Sequence, residues 1–529
     1  MGGRDATWLA IGASIFASNI GSEHLIGLAG AGASSGMAMA HWEIQGWMIL
    51  ILGWVFVPFY TRSMVYTMPE FLERRYNPQS RTILSVISLV SYVLTKVAVT
   101  VYAGGLVFQQ VFGIKELWGI DFFWIAAIGL VVLTALYTIF GGMKSVLYTS
   151  VLQTPILLLG SLIILVLGFK ELGGWDEMMR VCGAVTVNDY GDTMTNLIRS
   201  NDDANFPWLG ALIGSAIIGF WYWCTDQFIV QRVLSGKNEM EARRGTIFGA
   251  YLKLLPVFLF LIPGMIAFAL HQKYIGAGGE GFLPMLANGT ANADAAFPTL
   301  VAKLLPAGVK GLVVCGILAA LMSSLASLFN SSAMLFTIDF YKRFKPETPE
   351  KKLVGIGQIA TIVIVVLGIL WIPIMRSVGD VLYTYLQDVQ SVLAPGIAAA
   401  FLLGICWKRT SAQGGMWGLI SGMVIGLTRL GAKVYYSNAG EVADSTFKYL
   451  FYDMNWLFFC GWMFLFCIVV VIVVSLMTEA PSAEKIQGLV FGTSTPEQKA
   501  ATRASWNHWD IIHTVIILAI TAAFYWYFW

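Results

Sequence analysis

Long apolar segments that carry almost no charge are the feature that most limits what this chain can fold into. Residues 361–374 and 467–474 contain no charged side chain, and residues 120–137 contain a single one. With their flanks, such segments are long enough to cross a hydrocarbon layer of roughly 30 Å as α-helices. Only 12% of the 529 residues are charged, whereas a soluble protein has about a quarter. The sequence therefore predicts an all-α polytopic membrane protein.

The spacing of the apolar segments predicts about thirteen helical spans. These are 5–31, 36–60, 80–111, 120–141, 147–171, 207–231, 243–272, 306–340, 352–376, 379–406, 411–435, 455–478 and 509–529. Longer polar connections lie at 172–206, 273–305 and 479–508.

Lysine and arginine residues indicate how these spans are oriented. They cluster in four connections, at residues 62–81, 232–244, 342–352 and 408–409, and threading the predicted spans puts all four on one side. Positively charged loops lie on the cytoplasmic side of a membrane. We therefore expect a multi-pass protein of the inner or plasma membrane whose first residue is cytoplasmic and whose last residue lies outside.

The first and sixth predicted spans are each interrupted by polar residues near their middle. The interruptions read Ser-Asn-Ile-Gly-Ser-Glu-His at 18–24 and Cys-Thr-Asp-Gln at 224–227. Two five-helix halves that each open with a broken helix are typical of inverted-repeat transporters.

This pattern predicts how the chain is divided. We expect a transport core at residues 1–406, whose two inverted halves cover about 5–171 and 207–406. Residues 407–529 are then three peripheral transmembrane helices, with a cytoplasmic loop near 479–508.

Composition and motifs exclude several classes of function. The net charge of +2 indicates no nucleic-acid partner. Cys182 stands alone in a connection and the other five cysteines lie in apolar segments, so neither a disulfide framework nor a zinc site is predicted. The sequence contains no HExxH or Walker A motif, and we expect no enzymatic activity. No obligatory protein partner is evident.

Polar residues inside the spans indicate a functional site or a specific contact, because a charge at the bilayer centre costs about 2.5–3.5 kcal/mol. Asn19, Glu23 and His24 flank Gly21 in the first span. A helix that opens at glycine exposes carbonyl groups that can ligate a desolvated cation. The alternative is a close helix–helix contact through small residues.

Three further charged residues fall within spans. Glu43 could accept hydrogen bonds from the hydroxyl groups of a solute, or it could be solvated at the membrane interface. Lys253 could line a cavity or extend to the cytoplasmic surface. Asp226 is predicted to pair with a nearby cation such as Arg232, which would make it structural.

Hydroxyl, amide and aromatic groups also occur deep in the spans. The hydroxyl oxygens of Ser323 and Ser324 suit sodium, a hard cation, although serines in membrane helices often bond to their own backbone. Gln387 offers both donors and acceptors beside aromatic residues, and residues 221–223 read Trp-Tyr-Trp. Flat aromatic faces suit the C–H face of a pyranose, whereas the alternative is a belt of aromatic residues at the membrane interface.

At these residues the sequence resembles the sodium/glucose cotransporters of the solute:sodium symporter family. The matching stretches are 12–22, 53–58, 67–71, 221–227, 321–330 and 401–409, including Trp-Tyr-Trp-Cys-Thr-Asp-Gln at 221–227. The resemblance implies the leucine-transporter fold, which consists of two inverted five-helix repeats with extra helices at the ends. It also implies sodium as the coupling ion. Relatives have one outer span before the position of Gly3-Arg4, so we expect this numbering to begin after such a segment.

The resemblance implies a role for individual residues of this chain. The side chains expected to bind sugar hydroxyls are Asn19, His24, Glu43, Lys253 and Gln387. The expected inner gate is Tyr222. The expected outer gate consists of Leu28, Trp42 and Tyr383. The expected sodium ligands are the carbonyls of Ala17, Ile20 and Ala320 and the hydroxyls of Ser323 and Ser324.

Some positions depart from the pattern of these relatives. Gly219 stands where they have a threonine or asparagine near the sugar. Ser150 stands where two-sodium relatives have an aspartate, and Ala326 stands where they have a hydroxyl group. The departures predict one sodium ion per sugar.

The sequence as a whole predicts a sodium-coupled symporter that imports a hexose, glucose or galactose, by alternating access. Hexose, sodium and the lipid bilayer are the expected partners. The nearest alternative is a symporter of another polar solute, such as an inositol or a sialic acid. A sodium-permeable channel or a membrane-embedded sensor would be a different class. A channel would show currents above transporter turnover, and a sensor would normally add a soluble domain that residues 479–508 are too few to form.

Overall fold

A computed structural model describes residues 5–21, 23–65, 67–286, 289–378, 381–439 and 443–529, with the backbone alone for 137–154, 330 and 375–378. Helices dominate this part of the chain. A short antiparallel hairpin pairs Glu116–Leu117 with Ile120–Asp121.

The helices follow one another closely along the first half of the chain. The α-helices here are Trp8–Asn19, Ala29–Ser35, Ala40–Glu43, Gly46–Ile51, Val57–Ser63, Met68–Arg75, Pro78–Ser91, Ala98–Phe112, Phe122–Leu172 and Trp175–Gly183. π-Helical segments join several of them, at Glu23–Leu28, Leu52–Phe56 and Tyr92–Val97, and a 3-10 turn covers Gly36–Met39.

The second half of the chain also consists of α-helices joined by π-helical segments. Its α-helices up to residue 406 are Trp208–Gly219, Gln227–Leu234, Glu239–Leu252, Ile262–Gly276, Ala296–Leu304, Ala307–Met334, Lys342–Phe344, Glu350–Val378 and Leu382–Cys406. π-Helical segments lie at Phe220–Thr225, Val257–Leu261 and Leu335–Tyr341, and a 3-10 turn covers Ala293–Ala295. The helices that follow are Ala412–Asn438, Thr446–Lys448, Trp456–Met477, Ala483–Ile486, Pro496–Ala504 and His508–Tyr527, with a π-helical segment at Tyr449–Asp453.

The predicted all-α membrane class is confirmed. Within the described residues, 10 helical stretches are long and apolar enough to cross a membrane, and Trp8–Asn19 and Phe122–Leu136 are shorter apolar helices. The predicted count of about thirteen spans is not confirmed. In particular, the separate spans predicted at 120–141 and 147–171 appear as one helix, Phe122–Leu172. The glycine pair at 141–142 weakens helix propensity, but helix is the conformation that satisfies backbone groups in an apolar segment.

Both predicted interruptions are present in the structure. The first helix ends at Asn19, and Ile20 is extended with φ −83° and ψ 103°. The helix that starts at Trp208 ends at Thr225, and Asp226 is extended with φ −72° and ψ 128°. The Asp226 carboxylate then accepts a hydrogen bond of 3.1 Å from the backbone N–H of Phe228 and so caps the next helix. Each polar patch therefore frees backbone groups in the interior of the bundle.

The last helix, His508–Tyr527, contacts the helical segments Glu239–Leu252 and Leu52–Phe56 through polar side chains. Arg244 and Asp510 form an ion pair of 3.0 Å, and the indole of Trp54 donates to Thr514 Oγ1 over 3.0 Å. The division into a core at 1–406 and a periphery at 407–529 stays a prediction.

Candidate functional site

A cavity lies between the two interrupted helices and the helix Leu382–Cys406. Its lining is rich in polar and aromatic side chains. The lining residues are Asn19, Glu23, His24, Trp42, Gln45, Thr95, Lys96, Val99, Ile218, Gly219, Tyr222, Trp223, Lys253, Tyr383, Leu386, Gln387 and Gln390. The free volume is about 40 Å³, which holds water molecules and leaves no room for a larger solute unless side chains move.

The Glu43 carboxylate connects several side chains at the wall of this cavity. Lys253 Nζ donates to Glu43 Oε2 over 2.6 Å, and Tyr383 Oη donates to Glu43 Oε1 over 2.5 Å. His24 Nε2 lies 3.3 Å from Glu43 Oε2 and 3.3 Å from the amide nitrogen of Asn19. The structure thus links four of the five predicted solute-binding residues directly.

The same contacts decide between the alternatives that the sequence left open. Glu43 has no exposed surface, so it is not solvated at the interface. Lys253 is also buried, and its amine points to Glu43 and lies 5.3 Å from the ring centre of Trp223. It does not extend to the cytoplasmic surface. Since a buried charge without a partner is very costly, each member of this pair requires the other.

Four polar atoms in the lining residues have no hydrogen-bond partner within the described part of the chain. They are His24 Nδ1, Trp42 Nε1, Lys96 Nζ and Gln387 Oε1, of which Lys96 Nζ lies 3.6 Å from Asp226 Oδ2. A buried polar group without a partner costs about 1–3 kcal/mol, which a bound polar molecule in the cavity would remove. Gln387 is the fifth predicted solute-binding residue, and it lines the cavity.

The predicted gate residues occupy different positions around the cavity. Trp42, Tyr383 and Tyr222 line it. Leu28 is fully buried but is not among the lining side chains. The indole of Trp42 stacks on Trp456, with ring centres 5.5 Å apart, so this side of the cavity packs against the helix Trp456–Met477.

Asp226 pairs with a cation, as predicted, but this cation is Lys96 and not Arg232. Asp226 Oδ2 lies 3.6 Å from Lys96 Nζ, and Asp226 Oδ1 accepts a hydrogen bond of 3.1 Å from Tyr92 Oη. Arg232 instead lies over the ring of Phe228, 4.7 Å from its centre. The nearest cation in sequence is thus not the nearest one in space.

Sequence reasoning missed several lining residues, among them Lys96 and Gln45. Lys96 lies within the third predicted span, and its charge at that depth was as strong a signal as the charge of Lys253. Its amine also lies 4.9 Å from the ring centre of Tyr222. Gln45 donates from Nε2 to the carbonyl oxygen of Ser215 over 2.8 Å. Only the fold shows that this amide faces the cavity.

One of the predicted sodium ligands, Ser324, lies close to the break in the first helix. A Cβ atom built on Gly21 would lie 2.8 Å from Ser324 Oγ and 2.7 Å from Glu23 Oε2. The break therefore touches the helix Ala307–Met334 at Ser324.

The other expected ligands are close to this point along the chain. Ala17 and Ile20 lie in the last turn before the break, where carbonyl groups lack the partners of a continuous helix. Ala320 and Ser323 lie within one turn of Ser324. Freed carbonyls, hydroxyls and a carboxylate are oxygen ligands that fit sodium. The side chain of Ser150 lies outside the described residues.

A buried carboxylate outside the spans holds the start of the helix that carries Tyr383 and Gln387. Asp294 accepts hydrogen bonds of 3.2 Å on both oxygens from the backbone N–H of Leu382. Its Oδ1 lies 2.5 Å from the position that a Cβ of Gly30 would take, so only glycine fits there. Burial raises the pKa of Asp294 from 3.8 to about 7, partly opposed by the Leu382 hydrogen bond.

Asp294 therefore predicts a pH dependence of stability. The native state binds this proton more tightly than the unfolded state, so its contribution is complete below pH 3.8 and is lost as the pH rises through about 7. The slope cannot exceed about 1.4 kcal/mol per pH unit. We expect the melting temperature of wild type to fall relative to that of Asp294→Asn over this range. Parallel melting curves for the two proteins from pH 4 to 8 would contradict this expectation.

Known proteins share both the sequence and the fold. The profile of the Sodium:solute symporter family matches residues 1–422. Sodium/myo-inositol cotransporter 2 of Homo sapiens is 36% identical over 506 residues, which cover 93% of this chain and 74% of that protein. Sodium/glucose cotransporter 1 of Ovis aries is 38% identical over 497 residues, which cover 90% of this chain and 74% of that protein.

A solved structure supports the same assignment at the level of the fold. A Na⁺-coupled sialic acid symporter in a substrate-bound outward-open state superposes with a TM-score of 0.67 at 22% identity, covering 91% of this chain and 92% of that one. The predicted transporter fold is thereby confirmed, and the family match confirms sodium as the coupling ion. The chain therefore belongs to the sodium:solute symporter family and is a sodium-coupled solute symporter of the membrane.

Proposed function

We propose that this symporter imports an uncharged polyol with a six-membered ring, a hexose such as glucose or galactose, by alternating access. The observation that carries the proposal is the set of unpartnered polar atoms of His24, Trp42 and Gln387 at the cavity. Hydroxyl groups both donate and accept hydrogen bonds. A polyol can therefore satisfy the indole N–H donor and the amide oxygen acceptor at the same time.

The charges around the cavity favour a neutral solute. Lys253 is paired with Glu43, and Lys96 lies 3.6 Å from Asp226. An anionic solute such as a sialic acid would have to take a cation away from its partner and leave a buried carboxylate without one, which is strongly unfavourable. Glu23 lies beside Gly21 and Ser324, at the proposed sodium site.

Aromatic side chains supply the remaining walls. Tyr222, Trp223 and Tyr383 line the cavity, and the rings of Tyr222 and Trp223 stand at 88° to each other. Such rings pack against the C–H groups of a sugar while its hydroxyls bond to the polar residues. We propose Asn19, His24, Glu43, Lys253 and Gln387 as the residues that bind the solute.

Myo-inositol is the second candidate. Sodium/myo-inositol cotransporters of Homo sapiens and Mus musculus are 36% and 37% identical to this chain. A cyclitol presents a ring of hydroxyl groups like that of a hexose but has no ring oxygen. The cavity residues suit both kinds of ring.

In the proposed mechanism, sodium binding at the break near Gly21 favours the outward-facing state, in which the solute site is assembled. Closure of Trp42 and Tyr383, together with Leu28, then covers the solute, and displacement of Tyr222 opens the path to the cytoplasm. Coupling requires that sodium favours the state that binds the solute more tightly.

We propose one sodium ion per solute. Ala326 is fully buried and brings no oxygen to a second site. One sodium ion crossing a tenfold gradient yields about 1.4 kcal/mol, and a potential of 100 mV adds about 2.3 kcal/mol. Together these concentrate the solute several hundredfold. We further propose that the chain starts on the cytoplasmic side and ends outside.

Uptake into proteoliposomes tests the function. We expect sodium-driven uptake of labelled glucose, galactose or myo-inositol, and competition by the unlabelled compounds ranks their affinities.

Gln387→Ala should weaken solute affinity at least about tenfold, because it removes a buried acceptor and two donors. Gln358→Ala is the matched control, since Gln358 is exposed on the helix Glu350–Val378. If the uptake of hexose and of inositol were as high with choline as with sodium, the proposal would be overturned.

A further inference from the structure

Gln45 and Gly219 occupy the same region of the cavity wall. A Cβ atom built on Gly219 would lie 2.4 Å from Gln45 Oε1 and 2.9 Å from Gln45 Cδ. Both distances are shorter than a normal van der Waals contact of a Cβ atom. The amide of Gln45 therefore fills the space that a side chain at position 219 would take.

This amide is held in a fixed orientation. Gln45 Nε2 donates to the carbonyl oxygen of Ser215 over 2.8 Å, one turn before Gly219 in the helix Trp208–Gly219. The side chain is buried, and Gln45 and Gly219 both line the cavity. With the nitrogen tied to Ser215, the amide oxygen is placed over Gly219.

We propose that Gln45 binds a hydroxyl group of the transported polyol and contributes to specificity, and that glycine at 219 is what admits it. This inference rests on the proposed function. The amide oxygen accepts a hydrogen bond from the solute, and one N–H of the amide remains available after the bond to Ser215. A site built to bond a particular hydroxyl discriminates against a solute that lacks it, because the amide is then left unpaired.

A double-mutant cycle tests the dependence of one residue on the other. The probe is whichever of labelled glucose, galactose and myo-inositol wild type takes up in a sodium-dependent manner. Gly219→Asn should lower the apparent affinity at least about tenfold, because two amides cannot share the space. Gln45→Ala should lower it about threefold to tenfold, as expected for one neutral hydrogen bond. In Gly219→Asn/Gln45→Ala the apparent affinity should recover to within about threefold of wild type. The asparagine introduced at position 219 then supplies an amide in place of the one removed at position 45.

Monodeoxy analogues of the same probe provide a second measurement that a purely structural role would not change. Wild type should bind at least one analogue more weakly than the parent compound. Gln45→Ala should bind that analogue and the parent compound with equal affinity. Gly129→Ala is the matched control, because a Cβ on Gly129 meets nothing within 4 Å. When the solute saturates each variant, the sodium concentration for half-maximal uptake should be the same as in wild type.

The outcomes separate this inference from the proposed function. Wild-type uptake of none of the three probes would overturn the proposed function, and this inference with it. Two results together would overturn this inference alone, provided that wild type shows sodium-dependent uptake. The losses of apparent affinity would add in the double variant, and Gln45→Ala would discriminate against the monodeoxy analogues as wild type does.

Discussion

Replacing Lys253 with methionine should abolish sodium-driven uptake and lower the melting temperature of the purified protein. The substitution leaves the fully buried carboxylate of Glu43 without the amine that lies 2.6 Å away. Removing one partner of a buried ion pair costs about 3–5 kcal/mol, because the remaining charge has lost its compensation. Thermal unfolding in detergent and uptake into proteoliposomes measure the two effects on the same preparation.

A double variant separates the structural role of this pair from its role in transport. Lys253→Met/Glu43→Gln removes both charges, so it should recover much of the lost stability while uptake stays abolished. Lys448→Met is the matched control. Its partner Asp444 lies 2.8 Å away but is 95% exposed, and exposed pairs contribute little. A wild-type melting temperature for Lys253→Met, or restored uptake in the double variant, would contradict the assignment.

The sequence predicted the elements of this site better than it predicted their contacts. The patches at 18–24 and 224–227 identified both helix breaks, because polar residues inside an apolar segment are costly unless the helix opens around them. Glu43 and Lys253 were each identified by the cost of a charge at that depth. Their ion pair joins residues 210 positions apart, and local sequence does not show which helices are neighbours.

The same limit accounts for the errors. Arg232 was chosen as the partner of Asp226 because it is six residues away, whereas Lys96 reaches Asp226 from another helix. Gln45 is an amide inside a predicted span, as Gln387 is, but the sequence does not show which way its side chain faces. Its role depends on the missing side chain of Gly219. A glycine in a helix indicates weak helix propensity, and only the packing shows what occupies its space.

Ser324→Ala should raise the sodium concentration needed for half-maximal uptake at least about tenfold. The hydroxyl of Ser324 lies beside the break in the first helix, where a Cβ on Gly21 would approach it to 2.8 Å. An oxygen ligand lost from a small desolvated site is not replaced by a methyl group. Ser331→Ala is the matched control on the same helix, because the hydroxyl of Ser331 donates to the carbonyl oxygen of Ser327 over 3.0 Å.

The sodium dependence of solute affinity then distinguishes the two sites. Coupling is reciprocal, so a protein with weakened sodium binding also binds the solute weakly at low sodium. In Ser324→Ala, saturating sodium should restore the solute affinity of wild type. In Gln387→Ala, the affinity should stay low at every sodium concentration, because the defect lies in the solute cavity. If both variants responded to sodium in the same way, the break near Gly21 and the cavity at Gln387 would not be separate sites for ion and solute.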